Sequence, residues 1–386
     1  GGGTPISPMI FQDATFQSTN KGCGNNDGGR SAIWASQTFI RVQNSDFAGG
    51  DFGISIRNSA GKVTNSTITV TCNGIDVNSL KAIGNTEYDV EIADNIITTT
   101  QRTPITAYSG ADVRIHNNEL AGAGEGSGIA VYSSKAEIHN NNIGPIGGWN
   151  GLWLLGSFDV VAENNSISEI AQEPILAGEY GTQAPSPTPA RLYLANNSIS
   201  TQGSGECSSQ KWWGGSFTCP AIMAHRSGAT IVDNEINAGG NADGIRATGA
   251  ILDVQRNVFN VQGTGAILQH YDSGFADSQQ YGTLAFFSNN EWNGVSVTYN
   301  VSKSSVTVQS EYIPSPPPDE HPVLLRWADQ EAWVQNGWQN GVIPHEVRAC
   351  DTCDDFTPYN FPLAINMDNN STVFTFSNLS NLDLSK

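Results

Sequence analysis

Six side chains between residues 173 and 272 of the chain are candidates for acid–base chemistry. A glycosidase uses two carboxyl groups, one of which is kept protonated by its surroundings. Glu179 and Asp272 could form such a pair if segment 271–282 folds inward, because several repeats separate them. An elimination instead needs a base and a cation that neutralises a uronate, which His225, Arg246 and His270 could supply. The candidate catalytic residues are Glu173, Glu179, His225, Arg246, His270 and Asp272. For each of them, an ordinary solvated surface role is the alternative.

Aromatic residues near these candidates suggest a second kind of chemistry. Tyr108, Tyr132 and Trp153 fall at outward positions of three successive predicted strands, and two insertions nearby add Tyr180, Trp212 and Trp213. Aromatic faces stack against the apolar C–H surface of sugar rings, while polar groups at the rim bind the hydroxyls. The pattern therefore predicts a carbohydrate-binding groove. Two alternatives remain open, namely a stripe covered by the insertions or the tail, and a subunit interface.

A repeated phrase must position these side chains. Ten copies of apolar-x-apolar-x-x-Asn-x-apolar lie between residues 40 and 295, with a base period of about 23 residues. The Asn-equivalent positions are Ser45, Ser66, Asn95, Asn118, Asn141, Asn165, Asn197, Asn234, Asn257 and Asn290. Apolar residues two apart indicate strands with alternate side chains turned inward. Asn tolerates tight turns, and stacked inward amides can satisfy one another.

A second, Gly-preceded strand follows about ten residues later in most copies, as in Ile75-Asp-Val77 and Ile129-Ala-Val131. Two or three short strands per turn, with no helical repeat, indicate a parallel β-helix. Outward residues of successive coils are predicted to form columns. One column contains His225, Thr248 and His270, and in the neighbouring column Leu268 follows Arg246. The pattern resembles the right-handed pectate-lyase-like family over about residues 5 to 310. That resemblance implies an all-β, right-handed parallel β-helix solenoid of about 10–12 coils with a small C-terminal appendage. It implies no single activity, because the sequence lacks the motifs of the family's polygalacturonases and alginate epimerases and the calcium cluster of its pectate lyases.

Three regions are expected along the chain: a β-helix over 1–312, a Pro-rich linker over 313–322, and a C-terminal cap or docking segment over 323–386. Insertions at 171–190, 200–220 and 271–282 could wall or cover a site. We expect no amphipathic capping helix before Ile6, so the first coil would be covered by an upstream segment or by another subunit.

The charge of the chain limits the classes of partner it can bind, and its cysteines indicate the compartment in which it folds. The net charge of −19 disfavours nucleic acid and anionic membranes, and no apolar run is long enough to span a bilayer. Six cysteines suggest the pairs Cys23–Cys72, Cys207–Cys219 and Cys350–Cys353 in an oxidising compartment, with reduced thiols as the alternative. We expect no metal and no cofactor. Glycosylation sequons, many of them within the repeated phrase, occur at Asn65, Asn164, Asn196, Asn300, Asn369, Asn370 and Asn378.

The opposite sheet face should carry a solvated charge ladder that includes Arg114 and Glu137. His116 and His139 occupy the next column, where no carboxylate trio is expected to accompany them.

The sequence thus predicts a secreted, cell-surface or extracellular protein that binds a polysaccharide and cleaves it if it is an enzyme, by hydrolysis or elimination. A neutral glycan fits the negative charge better than an anionic one. The alternative function is structural: a surface, adhesin or appendage subunit that forms a homo-oligomer or stacks end to end.

Overall fold

A computed structural model describes residues 8–19, 23, 31–78, 90–157, 159–178, 190–203, 207, 219–225, 227–240, 242–248, 250–261, 266–269, 284–288, 290–292, 295–296, 301–302 and 305–308. The described residues form strands and turns, and the fold is a right-handed parallel β-helix solenoid. The chain divides into two units. The first runs to Arg191 and includes Asn197–Thr201, and the second comprises Leu192–Asn196 and the chain from Gln202 onward.

In the first unit the described strands form three parallel sheets, and the chain visits sheets A, B and C in turn. Sheet A contains β1 (Met9–Gln12), β4 (Phe39–Gln43), β7 (Ala60–Thr64), β10 (Val90–Ala93), β13 (Asp112–His116), β16 (Lys135–His139) and β19 (Val160–Glu163). Sheet B contains β2 (Thr15–Ser18), β5 (Asp46–Gly49), β8 (Thr67–Val70), β11 (Ile96–Thr99), β14 (Glu119–Gly122), β17 (Asn142–Ile146), β20 (Ser166–Ile170) and β23 (Ser198–Thr201). Sheet C contains β3 (Ser31–Ser36), β6 (Phe52–Arg57), β9 (Ile75–Asn78), β12 (Ile105–Tyr108), β15 (Ile129–Tyr132), β18 (Leu152–Leu155) and β21 (Ile175–Gly178).

The second unit repeats this order, and β22 (Ala190–Ala195) crosses the boundary between the units. Sheet A′ contains β25 (Ser227–Val232), β28 (Ile251–Gln255) and β31 (Leu284–Ser288). Sheet B′ contains β26 (Glu235–Ala238), β29 (Val258–Val261), β32 (Glu291–Trp292) and β33 (Val295–Ser296). Sheet C′ contains β24 (Ile222–His225), β27 (Ile245–Thr248), β30 (Ala266–Gln269), β35 (Ser305–Val308) and β34 (Val301–Ser302). The strands β33, β34 and β35 pair antiparallel, unlike the strands before them. The predicted all-β class and coil number are confirmed.

The Asn ladder is the corner between sheets A and B. The backbone N–H and Nδ2 of Asn118 both donate to Oδ1 of Asn141 at 3.0 Å, and Nδ2 of Asn118 also donates to the Ile92 carbonyl. The same backbone N–H bond to Oδ1 of the next Asn in the same unit is donated by Asn95, Asn141 and Asn165 in the first unit and by Asn234 and Asn257 in the second. These amides are buried and satisfied, as the sequence predicted.

The residue before each ladder position from Ser45 to Asn257 has a left-handed backbone, a feature that the sequence analysis did not identify. Its φ lies between 50° and 58° at Asn44, Asn65, Asp94, Asn117, Asn140, Asn164, Asn196, Asp233 and Arg256. Asn and Asp occupy this conformation more readily than other L-residues, which explains the recurring Asn-Asn and Asp-Asn pairs. Arg256 is the exception in this column.

The core is filled by inward aliphatic residues, with Phe47, Phe52 and Phe259 among its largest fully buried side chains. Two predicted disulfides are present: Cys23–Cys72 and Cys207–Cys219, with Cα–Cα distances of 5.6 and 5.1 Å. They indicate an oxidising environment. The predicted pair Cys350–Cys353, the linker 313–322 and the appendage 323–386 lie outside the described residues. None of the described residues belongs to a helix that could cross a membrane.

The strand register corrects one predicted column. Ile267 is the partner of Arg246, and Gln269 is the partner of Thr248, so Leu268 and His270 were each assigned one residue too late. The strand begins at Ala266, directly after Gly265, and a shift of one residue exchanges the two faces of a strand.

Candidate functional site

The outer face of sheet C carries the predicted aromatic residues in two columns. One column runs Trp34, Ser55, Asp76, Thr106, Ala130, Trp153 and Leu176. The other runs Ser36, Arg57, Asn78, Tyr108, Tyr132, Leu155 and Gly178. Neighbouring members stand about 4.8 Å apart, the spacing of adjacent strands. The sequence analysis began these columns at Ser55 and Arg57, and so missed Trp34 on β3.

The aromatic triad consists of Tyr132, Trp149 and Trp153. Trp153 meets Tyr132 edge-on at a centroid distance of 5.5 Å and meets Trp149 edge-on at 4.7 Å. Trp153 is only 6% exposed, whereas Tyr132 and Trp149 are half-buried. Trp153 therefore supports the two outer rings, and these rings, instead of Trp153 itself, face solvent. Trp149 lies in the turn before β18, outside the strand pattern, so outward periodicity could not have revealed it.

The Arg57 cluster consists of Trp34, Arg57, Asp76 and Tyr108. The Arg57 guanidinium lies 5.2 Å from the Trp34 ring centroid and 5.1 Å from that of Tyr108. Its Nη2 donates to Oδ2 of Asp76 at 2.8 Å, and Tyr108 Oη donates to the same oxygen at 3.2 Å. Contacts of this kind over aromatic faces hold a guanidinium in one orientation.

The charges in the Arg57 cluster are largely withdrawn from water. The side chains of Arg57 and Asp76 are 18% and 5% exposed. Burial, together with the negative charge of Asp76, raises the pKa of Tyr108 to about 12. The phenol therefore stays protonated at neutral pH and acts as a hydrogen-bond donor, not as a base.

One donor in the Arg57 cluster has no acceptor among the described residues. Nε of Arg57 is buried and makes no hydrogen bond within the described part of the chain. Buried polar groups are nearly always hydrogen-bonded, so this donor lacks the acceptor that such groups normally have.

Of the predicted catalytic residues, the structure describes Glu173, His225 and Arg246. Glu173 is fully buried, and Nδ2 of Asn150 donates to its Oε2 and to its backbone carbonyl at 3.0 Å. A carboxylate held in this way cannot face a polymer at the surface. Several predicted site residues lie outside the described residues, namely Glu179, Tyr180, Trp212, Trp213, His270 and Asp272.

In the second unit, His225 and Arg246 lie on adjacent strands of the outer face of sheet C′. Met223 is the register partner of Arg246, so His225 is its diagonal neighbour. Nη2 of Arg246 binds Oδ2 of Asp243 at 3.2 Å. Burial lowers the pKa of Arg246, and this effect outweighs the negative charge of Asp243, which acts to raise it. His225 is itself buried. His225 and Arg246 therefore lie on neighbouring strands, and Asp243 partly neutralises the Arg246 cation. Their catalytic role stays a prediction.

The outer face of sheet A carries the predicted charge ladder. Arg114 Nε lies 3.8 Å from Glu137, and Lys62 binds Glu91. Carboxylates contact both histidines, a feature that the sequence analysis did not predict. The contacts are His116 to Glu91 at 3.2 Å, and His139 to both Glu137 and Glu163 at 3.5 Å.

Register brings Glu91 near His116 and Glu163 next to His139, although more than 20 residues separate the members of each pair, whereas Glu137 lies on the same strand as His139. Burial acts to raise the pKa of Glu91, but the hydrogen bonds and charges of Lys62 and His116 outweigh it and hold the pKa below its ordinary value. Among the described residues of the first unit, no three His, Cys, Asp or Glu side chains converge closely enough to hold a metal ion.

The outer face of sheet C therefore combines half-buried aromatic rings with oriented hydrogen-bond donors, an arrangement suited to stacking and hydroxyl recognition. Comparison with protein-family models, with curated proteins and with solved structures finds no match to this chain. Function therefore has to be argued from the site itself.

Proposed function

We propose that this protein is secreted and binds a polysaccharide along the outer face of sheet C in its first unit. The observation that carries the proposal is the register of Tyr108 with Tyr132, next to the Trp149 and Trp153 rings. Sugar rings at successive positions of a chain would stack on successive aromatic rings, and the polar groups between them would bind hydroxyls. The two disulfides support an extracellular location.

Cleavage of the polysaccharide extends this proposal. Hydrolysis needs two carboxyl groups, and Asp76, already bound to Arg57 and Tyr108, is the carboxylate on the described part of this face. Glu179 and Asp272 remain candidates for the catalytic pair. Elimination would use His225 and Arg246, with His270 as a further candidate. Membership of the pectate-lyase-like superfamily, and modification of the exposed sequon residues Asn65, Asn164 and Asn196 by glycans, belong to the same proposal.

A panel of neutral and uronic polysaccharides tests the proposal. Retention of the protein on an immobilised glycan measures binding, new reducing ends measure hydrolysis, and ultraviolet absorbance of unsaturated uronates measures elimination. We expect retention on at least one neutral glycan, and weaker retention of Tyr132→Ala. The matched control is Tyr193→Ala, because Tyr193 is an exposed tyrosine of the second unit. Absence of retention across the panel would overturn the proposal.

A structural role is the second candidate, and the first coil favours it. The strands β1, β2 and β3 are the outermost strands of their sheets, and Met9, Ile10 and Trp34 are exposed there. A cavity of about 280 Å³, lined in part by Met9 and Ile33, opens at this end. Apolar edge strands of this kind are sites of association.

Sedimentation of the purified protein separates the two candidates. Open-ended oligomers would favour end-to-end stacking, whereas a monodisperse monomer or trimer would favour the glycan-binding role. The antiparallel strands β33, β34 and β35 favour closed assemblies, because they end the parallel pairing of sheets B′ and C′.

A further inference from the structure

Trp34 is the aromatic residue of the sheet C face that is most open to solvent, at 45% exposed. It lies on β3, four strands away from Tyr132, which corresponds to about 19 Å at the usual strand spacing. At this distance Trp34 and the aromatic triad cannot contact the same sugar ring. Trp34 therefore belongs to a distinct part of the face.

The neighbours of Trp34 fix its orientation. The guanidinium of Arg57 lies over the Trp34 ring, and Arg57 is in turn held by Asp76. A ring supported in this way offers its exposed surface as a rigid apolar platform, which loses little side-chain entropy when a ligand stacks on it.

Polar groups surround this platform. Ser31 Oγ donates to Ser55 Oγ at 3.0 Å on the two strands nearest Trp34. Ser55 and Nε of Arg57 are buried, whereas Ser31 is half-buried. A hydroxyl group of a sugar ring is an acceptor as well as a donor, so it can bond to Ser31 while the C–H face of the ring stacks.

The charge of the cluster selects between sugar classes. Asp76 already neutralises Arg57, and the pair is shielded from water. A uronate would have to displace Asp76 from Arg57 or lie close to its negative charge, and either arrangement costs free energy. A neutral ring meets neither obstacle.

We infer that the Arg57 cluster is a second sugar-binding subsite, selective for a neutral pyranose ring that stacks on Trp34. This inference rests on the proposed polysaccharide binding at the aromatic triad. It adds a separate contact point and a substrate class.

Affinity measurements with neutral and uronic oligosaccharides long enough to span both clusters test the inference. Stacking on one aromatic ring contributes a roughly two- to tenfold change in affinity, so we expect Trp34→Ala to weaken neutral-oligosaccharide binding by that factor. Ile96→Ala, which also removes an exposed apolar side chain of the first unit, should leave binding unchanged. Uronic oligosaccharides should bind more weakly than neutral ones of the same length.

The outcomes separate the inference from the proposed function. If Tyr132→Ala weakens binding while Trp34→Ala matches the unchanged protein, the subsite is overturned and the proposed function stands. Equal or tighter binding of uronic oligosaccharides would overturn the assigned substrate class. If the unchanged protein binds none of the oligosaccharides, the proposed function and the subsite are both overturned. Circular dichroism of Trp34→Ala checks that its fold is intact.

Discussion

Tyr108 Oη donates a hydrogen bond to Oδ2 of Asp76 from the neighbouring coil, 3.2 Å away. The same carboxylate oxygen binds Arg57, so a tyrosine, an aspartate and an arginine from three successive strands share one polar centre. The phenol is the neutral member of this centre. Its protonation state therefore links the geometry of the face to pH.

The raised pKa of Tyr108, about 12, predicts a loss of stability at high pH. Because the folded-state pKa lies above the unfolded value of about 10, folding favours the protonated phenol. The contribution is fully present below about pH 10 and is lost as the pH rises toward 12. Urea unfolding between pH 9 and 12 (values bracketing this window) measures it.

Tyr108→Phe removes the titrating group, so its free energy of unfolding should fall less steeply with pH than that of the unchanged protein. At neutral pH this variant should be less stable by about 1–2 kcal/mol, because it lacks a hydrogen bond to a charged group. If the free energies of unfolding of the two proteins fall equally with pH, ionisation of Tyr108 does not contribute to the loss of stability.

The Asn ladder should be intolerant of substitution. Asn141 accepts bonds from the backbone N–H and Nδ2 of Asn118 and donates to Asn165 and to the Ile115 carbonyl, all within the buried corner. Asn141→Ala leaves several buried groups without partners, each at a cost of about 1–3 kcal/mol. We expect a total loss of about 3 kcal/mol or more in urea unfolding. Asn142→Ala, one residue later but exposed, should change stability by less than about 0.5 kcal/mol. Similar losses for the two variants would contradict a structural role for the ladder.

Arg256 should be a site where substitution stabilises the protein. Its φ of 52° places a long side chain in the left-handed region, which costs about 1–2 kcal/mol for most L-residues. Its ion pair with Asp233 is exposed, and such pairs contribute about 0–1 kcal/mol. Arg256→Asn should therefore raise the free energy of unfolding by up to about 1 kcal/mol.

Arg256→Gln is the matched control, because it removes the ion pair and retains the backbone cost. It should be equal to or slightly less stable than the unchanged protein. If Arg256→Asn is destabilised as much as Arg256→Gln, the ion pair outweighs the backbone strain. Thermal unfolding at two salt concentrations separates the two effects, since salt screens the ion pair and not the backbone.

The two disulfides should differ in their contribution to stability. Cys23–Cys72 closes a loop with a sequence separation of 49, whereas Cys207–Cys219 closes one of 12. Loop-closure entropy predicts about 4 and about 3 kcal/mol, respectively. The double variant Cys23→Ala/Cys72→Ala should thus lose about 1 kcal/mol more than Cys207→Ala/Cys219→Ala, as measured by urea unfolding. The opposite order would show that loop length does not govern these bonds.

Fold features that recur in every coil could be predicted from the sequence, and features made by single residues could not. The ladder from Asn95 to Asn197 repeats the same position and the same bonds in successive coils. Its spacing, with the apolar residues two apart and the Gly-preceded second strand, therefore predicted the β-helix. Trp149, in a turn, and Trp34, on a strand without the Gly signal, follow no such period. Of the partners of His139, Glu137 lies two residues earlier on the same strand, whereas only the register with β19 brings Glu163 to it.

For Trp153, strand periodicity predicts the face of the sheet correctly but not the exposure of the side chain. Its outward position in β18 predicted a solvent-facing ring, but the edge-on contacts with Tyr132 and Trp149 bury it to 6% exposure. Position in a strand fixes the face of the sheet to which a side chain belongs. It does not fix what packs above that face, and the cover here includes a turn residue.

Substitutions in the aromatic triad should therefore divide into structural and binding effects. Trp153→Ala removes a large buried side chain, and we expect it to lower the free energy of unfolding by about 3–5 kcal/mol. Trp149→Ala removes a half-buried ring whose outer surface faces solvent, so its loss of stability should be clearly smaller. In glycan-affinity measurements, Trp149→Ala should weaken retention while remaining folded. If Trp149→Ala and Tyr132→Ala are both fully retained on the glycan, the glycan site does not lie at the triad. A stable Trp153→Ala variant would show that this ring does not support the face.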